Sequence, residues 1–336
     1  MSEKIYYINR YDASKRKQIR ENSGYEQIVK YDSRFITVTS NKTLSKLLIK
    51  LLGKNKPADY ITLTAWQEIK LFFLALFTKR PVLYLYADKD ALFLPYLKKL
   101  LGLKGLKFYG ALHWPIQISE NYAFYKYNLK SQFNGIITLS ETLSKERYNK
   151  VQVIPHGIDL NYWNVKNASQ YKNYYLVIGV SNRNHEKQIS IINSILKFDA
   201  TAKFKVLISD KKVRNQYANI INVEIIATRI NDDELKALYS SAKAVILFQD
   251  YCLASNVVLE SMAMGVPIIA NNVGDISDYL GKDYPLYIDH TDDMNKLESF
   301  ITNESFRSEI SNLLIKKRNS FAWEQIANRL VNFINS

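Results

Sequence analysis

Cysteine and histidine are scarce in this chain of 336 residues, and long apolar runs are absent. Because Cys252 is the one cysteine, no disulfide can form within the chain, and a reducing compartment is expected. The four histidines and Cys252 stand at no spacing typical of a metal site, so no metal is expected. The longest apolar run, residues 71–77, is far shorter than the ~20 residues of a membrane-spanning helix.

The start of the sequence and its composition indicate a globular protein. Residues 1–17 contain no apolar core of the length found in secretory signal peptides, so a cytoplasmic location is expected. Hydrophobic residues make up 47% of the chain and charged residues 23%, which is typical of globular proteins. The length is sufficient for two domains.

The formal net charge of +14 lies entirely in one half of the chain. Residues 1–168 carry 27 Lys and Arg against 13 Asp and Glu, whereas residues 169–336 carry 19 of each class. This asymmetry indicates a negatively charged partner on the N-terminal side. Nucleic acid would also fit a basic half, but no recognition motif occurs and the tyrosines are scattered, so no nucleic-acid partner is expected.

Short β-rich apolar segments alternate with helical segments throughout. The strand candidates of the first half are residues 5–8, 35–39, 60–64, 82–87, 107–112, 135–139 and 151–154. Those of the second half are residues 175–180, 205–209, 223–227, 244–248, 267–270 and 286–288. Strands separated by helices predict parallel sheets with right-handed crossovers, and two such sets predict an α/β protein with two doubly wound, Rossmann-like domains.

The domain limits follow from a polar stretch at residues 161–172, which we interpret as the linker. The first domain then covers residues 1–168 and the second residues 169–319. Residues 320–336 are predicted to form a closing helix whose apolar face packs back on the first domain. Because doubly wound sheets bind ligands at the carboxyl ends of their strands, the active site is expected in the cleft between the domains.

The most informative segment is residues 248–278, FQDYCLASNVVLESMAMGVPIIANNVGDISD. A helix is predicted to open near Ser255 and Asn256, which are typical capping residues, and to stop at Gly265. The N–H groups and the positive dipole end of such a helix bind phosphate. Glu260, about a turn and a half further along, is placed to accept hydrogen bonds from a ribose diol. The segment therefore predicts a site for a nucleoside diphosphate.

Residues 259–278 resemble the donor-nucleotide segment of glycosyltransferase family 4, whose members are retaining enzymes with the GT-B fold. Glu260 falls on the second Glu of the family's paired-Glu pattern. Four more segments match in order and spacing, so the resemblance runs from residue 107 onward. They are residues 111–115 (ALHWP), 135–143 (GIITLSETL), 151–163 (VQVIPHGIDLNYW) and 321–330 (FAWEQIANRL).

The sequence departs from the family pattern at several places, one of which is Asp278, where the family carries a Glu. The first Glu of the pair falls on Cys252, and Asp250 is the nearest carboxylate. Where the family has two glycines, this chain has Gly274 and Asp275, and residues 9–12 lack the glycine-rich turn expected after the first strand. The contacts to the donor sugar are therefore the part of the site that the resemblance defines least.

The resemblance assigns a catalytic set of three residues. Within the loop of residues 179–187 (GVSNRNHEK), Arg183 offers a planar fork of donors and Lys187 a point charge, and both suit a diphosphate, although a solvated basic loop is the alternative. His113, at the end of a strand candidate, is expected to hydrogen-bond the donor sugar. The donor-binding set comprises Asp250, Cys252, Ser255, Asn256, Val257, Val258 and Glu260.

The acceptor is assigned to the first domain. Trp114 can stack on a sugar ring and Asp88 can bind hydroxyl groups, the alternatives being a packing residue and a helix start. Residues 44–56, 69–80 and 94–107 pair apolar faces with Lys and Arg. This composition is typical of helices that lie on anionic membranes, although core helices with solvated lysines share it.

These features predict a retaining hexosyltransferase that uses a nucleoside diphosphate sugar as donor and a hydroxyl of a glycan or lipid-linked compound as acceptor. The resemblance implies no metal or other cofactor. A role in cell-surface polysaccharide or glycolipid assembly, at the inner face of the membrane, is expected. Two alternatives stay open: a GT-B sugar-nucleotide epimerase, and a non-catalytic GT-B partner subunit, which the loss of the first family Glu at Cys252 would suit.

Overall fold

The structure is a computed structural model that describes residues 4–9, 22, 24–51, 64–115, 119–144, 150–164 and 173–336. These residues form two compact units. Unit 1 comprises the described residues of 4–9, 24–156 and 323–336, and unit 2 comprises Asn22 and those of 157–322. Each unit contains one parallel sheet, as the alternation of strands and helices predicts.

The sheet of unit 1 has six strands in the order β2-β1-β3-β4-β5-β6. The strands are β1 (Ile5–Ile8), β2 (Phe35–Ile36), β3 (Val82–Tyr84), β4 (Phe108–Leu112), β5 (Gly135–Thr138) and β6 (Val151–Val153). The helices before unit 2 are α1 (Lys42–Leu51), α2 (Thr64–Thr78), α3 (Ala87–Asp90), α4 (Phe93–Leu101), α5 (Ala123–Lys126) and α6 (Glu141–Ser144). Strands β3, β4 and β5 are buried along their whole length, as parallel strands covered on both faces must be.

The sheet of unit 2 has five strands in the order β11-β10-β7-β8-β9. The strands are β7 (Tyr174–Ile178), β8 (Phe204–Leu207), β9 (Val223–Ile226), β10 (Ala242–Leu247) and β11 (Ile268–Ala270). The helices are α7 (His185–Phe198), α8 (Lys211–Arg214), α9 (Asp232–Ser240), α10 (Asn256–Ala263), α11 (Ile276–Leu280), α12 (Met294–Thr302) and α13 (Glu304–Arg318). The strand order reverses between β7 and β10, so a crevice is expected at their carboxyl ends.

Helix α14 (Trp323–Asn335) follows the 3-10 turn Asn319–Phe321 and belongs to unit 1. Trp323 is 1% exposed, and its ring centroid lies 5.9 Å from that of Tyr25. Phe333 packs edge-on against Tyr109 at 5.8 Å. Gly135 makes this approach possible, because a Cβ at that position would lie 2.7 Å from the Phe333 ring. The apolar face of the closing helix therefore packs on the 3-10 helix Tyr25–Tyr31 and, through Phe333, on strands β4 and β5.

The observed strands differ from the predicted ones mainly at their ends. Residues 286–288 do not form the predicted strand, because Tyr287 makes only an isolated bridge with Ala270 and the pairing does not continue. The candidate at residues 82–87 ends at Tyr84, since Ala87 already begins α3. Residues 60–63 and 165–172, which held a strand candidate and most of the predicted linker, lie outside the described residues. Within the described segments, no helix is both long and apolar enough to cross a membrane.

Candidate functional site

The loop after β7 positions Arg183 at the reversal of the unit 2 sheet. Gly179 has a φ of +87°, which only glycine adopts without strain, and it turns the chain beside the Arg183 guanidinium. Arg183 Nε donates to the Ile178 carbonyl and Nη1 to the Ser181 carbonyl, both at 3.2 Å. Burial lowers the Arg183 pKa, and Cys252 and Tyr239 oppose that shift. These two residues therefore lie within electrostatic reach of the guanidinium.

Asn184 connects this loop to the loop after β10. Its Oδ1 accepts from the Lys187 N–H at 2.9 Å and caps α7, while its Nδ2 donates to the Asp250 carboxylate at 2.9 Å. The Asn184 N–H donates to the Phe248 carbonyl at 3.0 Å, and the Lys187 Nζ lies 6.0 Å from the centre of the Phe248 ring. The structure thus brings the predicted residues Lys187 and Asp250 to the same edge of the sheet as Arg183.

Helix α10 begins at this edge, but not with the cap that the sequence predicts. The Ser255 hydroxyl makes no hydrogen bond to the first turn, and the described residues offer it no other partner although it is buried. Only its carbonyl serves the helix, accepting from the N–H groups of Val258 at 3.1 Å and Leu259 at 3.3 Å. The first turn, Asn256 to Val258, follows as predicted. The loop before α10 is anchored from elsewhere, through the carboxylate of Asp275.

Glu260 lies in the second turn of α10 and is 1% exposed. Its Oε2 accepts from the Tyr239 hydroxyl at 2.9 Å. Tyr239 is completely buried, so this hydrogen bond lies inside unit 2. This bond fixes the orientation of the one carboxylate on the helix.

A pocket of about 260 Å³ opens beside Arg183 at the carboxyl ends of β7, β8 and β9. Its lining combines aliphatic side chains with exposed backbone and a few polar groups. The lining residues are Ile178, Gly179, Val180, Leu207, Ser209, Thr228, Arg229, Ile230 and Leu235. The sequence analysis named no candidate site residue within 207–235. The rule that ligands bind at the carboxyl ends of strands would have pointed to the residues after β8 and β9.

Unit 1 brings Asp88, His113 and Trp114 together at the end of β4. The Asp88 carboxylate accepts from the N–H groups of His113 and Trp114, each at 2.8 Å. It is completely buried and holds the turn after β4, and its role in binding an acceptor stays a prediction. Trp114 is half-buried, with the Lys89 Nζ 5.1 Å from its ring centre.

His113 is held on three sides. Its Nε2 lies 2.8 Å from the Leu85 carbonyl, which can only accept, so Nε2 carries a proton. Its ring stacks on Tyr86 at 4.1 Å and meets Tyr25 edge-on at 5.0 Å. This packing fixes the imidazole at the strand end, where the sequence analysis expected it. Among the described residues, no group of three or more His, Cys, Asp or Glu is arranged to hold a metal ion.

The architecture is that of the GT-B glycosyltransferases, as comparison with solved structures shows. A glycosyltransferase from Rickettsia africae superposes with a TM-score of 0.67 at 12% identity, covering 99% of this chain and 98% of that one. Sucrose-phosphate synthase from Thermosynechococcus elongatus superposes with a TM-score of 0.60 at 15% identity, and the superposition covers 82% of this chain and 77% of that one. TarM from S. aureus, crystallised with fondaparinux, alpha-GlcNAc-glycerol and UDP, gives 0.56 at 15% identity, and this chain spans 59% of it.

The sequence itself gives the second finding. Residues 175–302 match the family model described as Glycosyl transferases group 1. The match lies within unit 2, and the matched range includes Arg183, Lys187, Glu260 and the whole pocket. No curated protein matches the chain.

Proposed function

We propose that this protein transfers a sugar from a nucleoside diphosphate sugar to a hydroxyl group of an acceptor, with retention of anomeric configuration. The observation that carries the proposal is the convergence, in one family-matched unit, of the pocket, Arg183, Lys187 and the start of α10 at the carboxyl ends of the strands. Each part suits a different portion of a nucleotide donor.

The pocket suits the nucleobase. Its volume of about 260 Å³ accommodates a flat ring, and Ile178, Ile230 and Leu235 provide apolar walls. Arg183 borders the pocket through Gly179, so a base bound there places the diphosphate next to the guanidinium. Glu260, oriented by Tyr239, would then bind the ribose between the base and the phosphates.

The chemistry that we propose is electrostatic. When the bond between the sugar and the diphosphate breaks, negative charge grows on the leaving phosphate. Arg183, Lys187 and the N–H groups at the start of α10 would stabilise that charge in a partly desolvated site, with no metal ion required. The leaving phosphate itself would take the acceptor's proton, and His113 would orient the sugar. Acceptor-dependent release of nucleoside diphosphate would separate this reaction from an epimerase or an inactive partner subunit.

Lys187 and Lys197 offer a matched test, because they occupy the first and last turns of the same helix, α7. Calorimetry with UDP, GDP and the corresponding nucleosides measures the phosphate contribution directly. Lys187→Ala and Arg183→Ala should weaken binding of the diphosphate about tenfold or more and that of the nucleoside little, since each removes a charged partner. Lys197→Ala should change neither. Equal losses for diphosphate and nucleoside would contradict the assignment.

The acceptor side of the proposal concerns a surface of unit 1, the apolar-basic face, formed by α1, α2 and α4. Helix α2 packs on both of the others. The large apolar side chains exposed on this face are Leu47, Leu51, Phe73, Leu74, Phe77, Tyr96, Leu100 and Leu101. Exposed lysines on and beside it are Lys46, Lys50, Lys79, Lys99, Lys104 and Lys107.

We propose that the apolar-basic face rests on the anionic inner surface of a membrane, where a lipid-linked or anionic glycan acceptor would be presented. Phe77 is 81% exposed and Leu100 68%, which is costly in water and favourable in the headgroup region. The lysines provide the complementary charge, each adding about 1 kcal/mol of attraction near an anionic surface. The excess positive charge of residues 1–168 supports the same partner.

A further inference from the structure

Lys89 is the residue of helix α3 that is not buried. Ala87, Asp88 and Asp90 are buried, whereas Lys89 is partly exposed. Helix α3 follows strand β3, so Lys89 lies at the carboxyl end of a strand, which is where doubly wound sheets bind ligands. Its ammonium group therefore places a positive charge at the end of the unit 1 sheet where a ligand is expected.

Two aromatic rings lie beside this ammonium group. The Lys89 Nζ is 5.1 Å from the centre of the Trp114 ring and 5.3 Å from that of the Tyr122 ring, and both distances are those of cation–π contacts. Trp114 lies in the turn after β4, and Tyr122 immediately precedes α5, a helix that packs on α3. Three separate segments of unit 1 thus meet at one cation and two rings.

The carboxylate of Asp88 holds the backbone of this group in place. It accepts from the N–H of Lys89 at 3.1 Å and from the N–H groups of His113 and Trp114, each at 2.8 Å. One completely buried side chain therefore joins α3 to the turn after β4. The side chains of Lys89 and Trp114 consequently leave from a backbone that is fixed before any ligand binds.

The charge of Lys89 has no carboxylate partner in the part of the chain that the structure describes. The ion pairs among the described residues are Arg34–Asp32, Lys205–Glu224 and Lys296–Asp293. An anionic group of a ligand would match this charge, because an ammonium group forms its strongest hydrogen bonds with ionised acceptors. Trp114 is half-buried, which leaves part of its ring to pack on the apolar face of a sugar.

We propose that Lys89, Trp114 and Tyr122 form an acceptor subsite for a sugar that carries a phosphate or carboxylate group. The sugar ring packs on Trp114, Lys89 donates to the anionic group, and Tyr122 holds the Lys89 side chain. The inference rests on the proposed function for naming the ligand an acceptor, and it adds that this acceptor is negatively charged next to the bound ring. The excess positive charge of residues 1–168 supports the same ligand class.

Binding of small sugars tests the subsite, with UDP present so that the proposed donor site is filled. The probes are glucose and galactose, their 6-phosphates, and glucuronic and galacturonic acid, each titrated by NMR. The native protein should bind the anionic sugars about tenfold or more tightly than the neutral ones, because a hydrogen bond to a charged group is added. Tighter binding of the 6-phosphates indicates a phosphate-bearing acceptor such as a lipid-linked sugar, and tighter binding of the uronic acids indicates an acidic polysaccharide.

Four variants locate the binding. Lys89→Met removes the charge and keeps the length of the side chain, so anionic sugars should bind as weakly as neutral ones, whereas Lys89→Arg should retain most of the preference. Trp114→Leu should weaken the binding of neutral and anionic sugars alike, about two- to tenfold, because the stacking ring is lost. Lys126→Met is the matched control and should change nothing, since the Lys126 Nζ lies 5.8 Å from the Tyr127 ring centre in the same unit.

Two outcomes would overturn the inference. The first is a native protein that binds anionic sugars no more tightly than neutral ones. The second is a folded Lys89→Met variant with a lower melting temperature and an unchanged preference, because Lys89 would then only stabilise the packing of unit 1. If Trp114→Leu does not fold, the comparison of Lys89→Met with Lys126→Met decides the question.

Failure of the proposed function gives a different result. A protein that binds neither UDP nor GDP would contradict the transferase proposal. The same protein would still contain the subsite if its preference for anionic sugars disappears in Lys89→Met and persists in Lys126→Met.

Discussion

The two units have the same architecture and opposite surfaces. Both are parallel sheets flanked by helices. Among the described residues, however, eight of the twelve exposed large hydrophobic side chains lie on three neighbouring helices of unit 1, and residues 1–168 carry all of the net charge. Residues 169–336, most of which belong to unit 2, carry no net charge, and the distinctive groups of unit 2 are buried or half-buried at strand ends. The proposed function therefore assigns ligand binding to the loops of unit 2 and to the helix faces of unit 1.

In the proposed function, the two units have different tasks, and each task places different demands on the unit that performs it. A nucleotide is small and must be oriented, so the proposed donor site depends on individual residues such as Arg183 and Glu260, which specific hydrogen bonds hold in place. A surface partner is large and flat, so many weakly constrained Lys, Leu and Phe side chains serve as well. Substitutions should therefore act sharply in unit 2 and by small increments on the face of unit 1.

The largest effect is expected at two equally buried tryptophans, one in each unit. Trp323→Ala removes a ring that packs on Tyr25 and Tyr31. Trp163→Ala removes a ring that packs edge-on against Tyr239, with 6.0 Å between the ring centroids. Each should lower the free energy of unfolding by about 3–5 kcal/mol, as measured by urea unfolding. Only Trp163→Ala should also weaken nucleotide binding, because Tyr239 orients Glu260. If Trp323→Ala and Trp163→Ala weaken nucleotide binding equally, the proposal that only unit 2 binds the nucleotide is wrong.

A pH effect should follow from Asp275. Burial raises the pKa of Asp275 from 3.8 to about 6, and the charge of Asp278 adds to this shift. Hydrogen bonds from the Ala254 N–H and the Cys252 thiol oppose it. Arg183 lies within electrostatic range of Cys252. Because the pKa of the Asp275 carboxyl is higher in the folded than in the unfolded protein, its protonation stabilises the folded state at any pH below the unfolded-state pKa. This stabilisation is lost as the pH rises through the folded-state pKa. Between pH 4 and 6 the native protein should therefore lose about 2–3 kcal/mol relative to Asp275→Asn. A constant difference in unfolding free energy across this range would contradict the shift.

Glu260→Gln tests the ribose assignment within unit 2. The substitution keeps the shape of the side chain but removes its charge, so nucleoside diphosphate affinity should fall by about 1.5–3 kcal/mol while the protein stays folded. Calorimetry and melting temperature measure the two quantities. Glu298→Gln on the exposed side of α12 is the control and should alter neither. Unchanged affinity in the folded Glu260 variant would remove Glu260 from the site.

The smallest effect per residue is expected on the apolar-basic face. Phe77→Ser should reduce flotation with anionic vesicles about three- to tenfold at 0.1 M salt, because one partly inserted ring is lost. Ile221→Ser is the matched control, since Ile221 is 67% exposed on unit 2. Binding of the native protein should fall at 1 M salt, as the Debye length shrinks from about 10 Å to 3 Å, and neutral vesicles should bind little. Equal losses for both variants, or no binding to anionic vesicles at low salt, would end the membrane proposal.

Periodicity and apolar runs were sufficient to predict both sheets and the closing helix. Their signal is strong because parallel strands are buried on both faces, as β4 and β7 are, so nearly every residue is apolar. The strand candidate at residues 286–288 is equally apolar but pairs with Ala270 through Tyr287 alone. Because this pairing depends on where the neighbouring strand ends, the local sequence of residues 286–288 could not predict it.

The sequence could predict only those parts of the candidate site that lie on one continuous segment of the chain. Arg183, Lys187 and Glu260 stand on segments whose order is fixed by the strands around them, and their roles in donor binding stay predictions. The anchoring of Ala254 by Asp275 joins positions 21 residues apart, and the pocket joins residues from three strand ends, so neither leaves a local pattern. Ser255 shows the converse: a favourable capping residue whose hydroxyl is left unused once another group holds the loop.

The membership of α14 in unit 1 has a consequence for how the protein is made. The described residues of unit 2 from 157 to 322 are contiguous apart from the linker region, whereas unit 1 needs residues 323–336 for the Trp323 and Phe333 contacts. Synthesis proceeds from the N-terminus, so the later-encoded unit is complete in sequence before the earlier one. During synthesis, the parts of unit 1 that α14 covers therefore stay uncovered until residues 323–336 have been made.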